Sequence, residues 1–248
     1  MRKLTNLLAR NRVHPDWRPV LEPALATMDR NYLESLIEDM RWLPGADRLL
    51  AAFRRDLSGV RYLLIGESPY PRPESANGIA FYDAAVGDLW SNGGLSKAVN
   101  RATSLRNIVK TALLAERRID KDADGKITQE AIALLDKGDM IGTLPELFAN
   151  LERAGFLMFN ATPVLHPMRK PDKEAVYWRP FLEALLFGLS DRSITLVLWG
   201  QIAKLVESLP ASQSYDRLTC EHPYNISFID NPQMQALFAE LRLLARPS

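Results

Sequence analysis

The chain has little cysteine, little histidine and almost no net charge. Cys220 is the single cysteine in 248 residues. That excludes an internal disulfide framework and a Cys-ligated iron–sulfur cluster, and makes a reducing cytoplasm the expected compartment. The three histidines, His14, His166 and His222, are scattered without metal-ligand spacing, so no zinc centre is expected. Lys plus Arg is 31 and Asp plus Glu is 30, which excludes a global basic field; nucleic-acid contact would need a local patch. No apolar run approaches the roughly 20 residues of a membrane span. The start, MRKLTNLLARNRVHPDW, is basic but lacks an apolar centre, so it does not read as a secretory signal.

What is present is a large apolar fraction, 47%, enough for a sizeable core. YLESLIEDM (32–40) and ADRLLAAFRRDL (46–57) carry apolar residues at helical spacing. VRYLLIG (60–66) is a continuous apolar run that predicts a strand buried on both faces. Further strands are expected at FLMFN (156–160), at SITLVLWG (193–200) and near RLTCEHP (217–223). Between them helices are expected over 104–118, with Ser104 as N-cap, over 146–155, stopped by Gly155, and over 178–189. QIAKLVESL and PQMQALFAELRLLA complete the helical set. Alternation of this kind predicts an α/β fold: a single domain over 1–248, with a central, mostly parallel, four-stranded sheet and helices on both faces.

In open parallel sheets, ligands bind at the carboxyl ends of the strands. Those ends carry Glu67 and Ser68, Asn160, Trp199-Gly200, and His222. The spacing predicts that Glu67, Ser68, Asn160 and His222 converge on one pocket. His166 is the alternative histidine, but His222 ends a strand and fits the rule better. DKDADGKITQEA (120–131) imitates a calcium loop, yet its twelfth residue is Ala131 where a bidentate Glu belongs, so an acidic turn is expected. GESPY lacks the glycine two residues after the serine that a nucleophile elbow requires.

GESPYPRPESANGIAF, TSLRN, FLMFN, LVLWG and HPYNIS, in this order, resemble the uracil-DNA glycosylase superfamily. The pattern is nearest to the metal-free, single-domain enzymes, whose signatures read GQDPYH…GLAF, PPSL+N, LLLN, LLWG and HPSPLS. The resemblance implies excision of uracil from single- or double-stranded DNA by a monomer that needs no cofactor. It also implies roles for residues. Phe81 is the platform under the flipped base. Asn160 reads the base edge, donating to O4 and accepting from N3–H, a pattern that cytosine reverses. Tyr70 presses on C5 and excludes the thymine methyl. His222, as a neutral imidazole, donates to O2 of the departing anion. Ser104 holds a phosphate, with Arg106 and Tyr224 beside the DNA. Ile226 falls where the family has an apolar wedge that fills the emptied stack; burial in the core is its alternative.

The departures from the family pattern concern the attacking water. Where the metal-free enzymes have Asp and Gln, this chain has Ser68 and Glu67. A serine alone is no general base at neutral pH, so Glu67, directly or through Ser68, is expected to position the water. The iron–sulfur branch has Glu at the Glu67 position, but its cluster cannot be built with one cysteine. HPYNIS carries Tyr224 and Asn225 in place of Ser and Pro. Two other readings follow: a glycosylase for another damaged base, or a non-catalytic binder of uracil-bearing or abasic DNA. Arg72, Lys97, Arg101, Arg106, Arg169 and Lys170 are the basic residues near the motifs.

Overall fold

The structure, a computed structural model, describes residues 2–39 and 41–247; Met1, Met40 and Ser248 lie outside the described residues. The chain gathers into two compact units, Met1–Ala84 with Gly155–Leu218, and Ala85–Ala154 with Thr219–Ser248.

The first unit is built on a four-stranded sheet. Its strands β1 (Tyr62–Gly66), β2 (Phe156–Asn160), β3 (Thr195–Trp199) and β4 (Asp216–Cys220) lie in the order β2-β1-β3-β4. The chain passes to the second unit within β4. Strand β1 runs parallel to both neighbours, with Gly66 opposite Asn160 and Ile65 opposite Leu198. Leu63, Ile65, Leu157, Phe159, Leu196 and Leu198 point into one core with Trp17, Leu21, Trp178 and Phe181. The alternate residues Leu64, Met158 and Val197 are buried as well. Burial on both faces explains why these strands read as unbroken apolar runs.

The helix Pro171–Gly188 packs on Arg18–Ala26 and begins seven residues before the expected start at Trp178, with Pro171 in its first turn. Residues 46–57 do not form the expected α-helix. They are turns and a 3-10 segment, Ala51–Arg54. Tertiary partners take the helix bonds: Leu50 N–H donates to Asn11 Oδ1 at 2.8 Å, and the Phe53 carbonyl accepts from His14 N–H at 2.9 Å. The helix expected over 32–40 is Arg30–Glu38.

In the second unit, helix Thr103–Ala115 packs against helix Pro232–Leu241 and the 3-10 segment Ile226–Asp230. Ser104 is not its N-cap. The helix starts one residue earlier, after Ala102, and no side chain caps it. Helix Leu144–Arg153 begins with a capping box of Thr143 and Glu146, two residues before the expected start. Gly155 follows it with φ +97°, a conformation that suits glycine. Over 120–131 the Asp122 carboxylate accepts from its own loop, from Asp124 N–H at 3.0 Å and Lys126 N–H at 2.8 Å, as an acidic turn does. Among the described residues no helix is long and apolar enough to cross a membrane.

Candidate active site

In the first unit, the ends of β1 and β2 and the loop after β1 bring four of the expected residues together. Ser68, Tyr70, Phe81 and Asn160 line one cleft with Asn77 and Ile79. Backbone bonds fix its floor past the strand ends: Ala161 N–H donates to the Gly66 carbonyl at 2.8 Å, and Thr162 N–H to the Glu67 carbonyl at 3.0 Å. The cleft is narrow, with about 10 Å³ of open space, room for about one water.

Asn160 is 4% exposed. Among the described residues, no hydrogen bond engages its side-chain amide. A buried amide without a protein partner is costly unless water or a ligand satisfies it. Phe81 sits in the left-handed region at φ +63°, uncommon for a bulky side chain. Its ring meets Trp199 edge-on, with centroids 4.9 Å apart. Trp199, the end of β3, therefore braces the ring expected to carry a base. Strain held by packing in this way clusters at ligand sites.

Tyr70 lies across the cleft, its hydroxyl 3.4 Å from the Phe81 carbonyl. Burial first, and then the negative charge of Asp83, push its phenol up to about 12. It is a neutral, apolar-bodied wall at any physiological pH. Asp83 is itself buried and paired with Arg72 at 2.8 Å. Glu67, expected in the pocket, is exposed and is not among the residues that line the cleft, while Ser68 beside it is half-buried and lines it; no hydrogen bond among the described residues occupies either side chain. Both are available to a water molecule.

His222, Ser104, Arg106, Tyr224 and Ile226 belong to the second unit. There Tyr224 N–H donates to His222 Nδ1 at 3.1 Å. An accepting Nδ1 places the proton of a neutral ring on Nε2, so the ring presents a donor there. The peptide that makes this bond is held from its other side. Asn107 Nδ2 donates to the Pro223 carbonyl, the same peptide unit, at 2.7 Å, and to the Asn225 carbonyl at 3.2 Å. Asn107 is 1% exposed in helix Thr103–Ala115. Asn107 is thus a positioning residue that sequence reasoning missed. A signal was present: Asn107 is the last residue of TSLRN, at the Asn of the signature PPSL+N, and a polar side chain among the buried Leu105, Ile108 and Val109.

Ile226 is 75% exposed and Tyr224 67% exposed, which removes core burial as an account of Ile226. Ser104 lies in the first turn of its helix, and the Arg106 guanidinium donates to the Asn100 carbonyl at 3.0 Å. His166 has a structural role. It is buried in the first unit, its Nε2 3.0 Å from Asp39 and its Nδ1 accepting from Met168 N–H. Bonds from Arg41, and then His166, hold the Asp39 carboxyl well below the usual carboxylate range.

No protein-family model matches the chain. A protein named uracil-DNA glycosylase from a Nocardioides species is 36% identical over 212 residues, covering 82% of this chain and 76% of the relative. The chain belongs to the uracil-DNA glycosylase family. A second uracil-DNA glycosylase, from Corynebacterium glutamicum, is 26% identical over 200 residues, 79% of this chain and 74% of that protein. Among solved structures, UNG from Nitratifractor salsuginis superposes with a TM-score of 0.94 at 40% identity, covering 99% of this chain and 98% of that one. A mimivirus uracil-DNA glycosylase, 18% identical with a TM-score of 0.56, covers 90% of this chain and 74% of its own and shares the fold. Membership in the glycosylase family makes Ser68, beside an exposed Glu67, the chemical question of the site.

Proposed function

We propose that this chain flips uracil out of single- or double-stranded DNA and hydrolyses its N-glycosidic bond, leaving an abasic site. The observation that carries the reading is the buried, unpartnered Asn160 amide facing a cleft walled by Tyr70 and Phe81. A planar base with one acceptor and one N–H donor on its edge satisfies that amide. Uracil offers O4 and N3–H in that order; cytosine offers the reverse and leaves both amide atoms unpaired. The ring enters by parting Tyr70 from Phe81, and Tyr70 meets C5, where thymine carries its methyl.

In the reaction the C1′–N1 bond breaks and its electron pair leaves with the base as a uracilate anion. The His222 Nε2–H donates to O2 as this charge develops. Water attacks C1′ and its proton passes to the Glu67 carboxylate, directly or through the Ser68 hydroxyl. Electrostatic support of the leaving group supplies much of the acceleration, which is why an enzyme without the family's Asp retains activity. Ser104 and Arg106 contact the backbone, Tyr224 the groove, and Ile226 fills the emptied stack. The reading takes 1–248 as one glycosylase domain, working as a monomer in the cytoplasm without a cofactor.

The test is excision from oligonucleotides bearing one uracil, read by alkaline cleavage, for wild type and Asn160→Ala. Expected are cleavage by wild type and a loss of about 10²-fold or more in the variant. Binding of uracil-DNA without cleavage would replace the enzyme with a binder. Cleavage indifferent to Asn160 would remove this cleft from the reading.

A further inference from the structure

A second cavity in the first unit, about 540 Å³, is lined by Arg10, Arg12, Arg48 and Arg54 with Asp47 as its one carboxylate. The volume falls in the range of ligand sites, roughly 300–1,000 Å³. In a chain whose net charge is +1, four guanidiniums against one carboxylate is a strong local excess of positive charge.

The excess is built in. Arg10 is paired with Asp47, and the other three guanidiniums form no ion pair among the described residues, although the Asp47 charge also reaches Arg48 and Arg54. Two of these are fixed in place by backbone carbonyls. Arg54 Nε donates to the Asn11 carbonyl at 3.0 Å and its Nη2 to the Asp47 carbonyl at 2.7 Å. Arg48 Nη1 donates to the Ala76 carbonyl at 3.0 Å. The third, Arg12, stands two residues past helix Arg2–Arg10 with its own φ at +55°, and pairs with no carboxylate among the described residues. Burial, and then the charges of Arg12 and Arg48, lower the Arg54 pKa from its ordinary value, as crowded like charges do. Pinned guanidiniums lose little freedom when they bind, and their forked donors match phosphate oxygens.

The cavity also touches the candidate active site. Asn77 and Ile79 line both it and the cleft of Asn160. The loop between them lies directly on the arginine segment: a Cβ on Gly78 would stand 1.9 Å from the Arg48 carbonyl oxygen. The expected basic candidates Arg72 and Arg169 are instead committed to Asp83 and Glu174.

We propose that this arginine cavity binds phosphate, its source being backbone phosphodiesters of the DNA strand that carries the target base. The DNA source rests on the glycosylase reading; a free phosphate or pyrophosphate is the other source of the same chemistry. The test uses the full chain, wild type, Arg12→Gln and Arg12→Glu, with Arg54→Gln as a second site. Two probes are used: inorganic pyrophosphate, read by melting temperature, and a uracil-free single-stranded oligonucleotide, read by Kd across a salt series. For the DNA source, removing the cation opposite one phosphate flattens the slope of log Kd against log salt by about 0.7. The oligonucleotide Kd rises in all three variants, most in Arg12→Glu. Pyrophosphate stabilisation that the variants abolish, with an unaltered oligonucleotide slope, assigns the site to a free anion. No pyrophosphate stabilisation of wild type and an unaltered slope in every variant overturns the proposal. Uracil excision by the same wild-type preparation is scored separately: its absence, with the arginine effects intact, removes the uracil reading and keeps the phosphate site.

Discussion

Gly66 and Asn160 are cross-strand partners, and a Cβ on Gly66 would stand 2.5 Å from Asn160 Oδ1 and 2.9 Å from the Ala80 Cβ. The glycine makes room for the amide proposed to read the base. Gly66→Ala is therefore expected to push the amide aside. Misplacement of about 1 Å costs roughly 10²-fold in rate, and overpacking costs about 1–3 kcal/mol in stability. Excision kinetics and thermal melting on one preparation check both; a variant with wild-type kcat/KM would show that Asn160 can move without penalty.

Glu67 and Ser68 separate by substitution. If Glu67 takes the proton of the attacking water, Glu67→Gln lowers kcat by about 10²–10⁴-fold and leaves KM nearly unchanged. Ser68→Ala has a smaller effect if the serine only relays. Ser68→Asp restores the carboxylate of the metal-free enzymes and is expected to rescue Glu67→Gln. Single-turnover kinetics on single-stranded substrate is the measurement; an inactive Ser68→Ala with an unaffected Glu67→Gln reverses the assignment.

Asn107 acts on His222 through the Pro223–Tyr224 peptide. Asn107→Leu leaves that peptide free to rotate and loosens the bond that fixes the ring tautomer. A rate loss of roughly tenfold or more is expected, carried by kcat. Ring nitrogen shifts distinguish this role from general destabilisation: wild type shows His222 protonated at Nε2, and the variant a mixture of tautomers. An unchanged His222 spectrum in a slowed variant would assign the loss to folding.

The Tyr70 phenol gives a pH signature. It ionises near 10 in an unfolded chain, and at about 12 in the fold. Above pH 10 the unfolded chain therefore binds fewer protons than the folded one, and stability falls as pH rises. The stabilising contribution is fully present below about pH 10 and is lost as pH climbs through about 12. Tyr70→Phe is expected to flatten the denaturation midpoint over that window. A midpoint that falls equally in wild type and variant would place the titration elsewhere.

Much of this was legible in the sequence because β-strand burial leaves a local record. FLMFN is the strand Phe156–Asn160 residue for residue, and all five residues are buried. The strand-end rule brought Ser68 and Asn160 to one cleft. The helix over 46–57 failed because its amides and carbonyls are taken by Asn11 and His14, some 39 residues away in the chain. Local periodicity cannot register such competition. Helix Leu144–Arg153 starts two residues earlier than its apolar spacing predicts because Thr143 and Glu146 form a capping box there.

The sequence by itself determined the α/β class, the order of the strands along the chain, the family resemblance and the residue types at the strand ends. All of these are carried by short segments of the chain and by the order in which they follow one another. Only the tertiary structure decided that Trp199 braces Phe81, that Asn107 grips the loop of His222, and that His166 serves Asp39. It also decided that arginines from residues 10–12 and 48–54 share one cavity. Each of these pairs segments far apart in the chain, and hydrogen bonds and charges act over ångströms of space without regard to sequence distance.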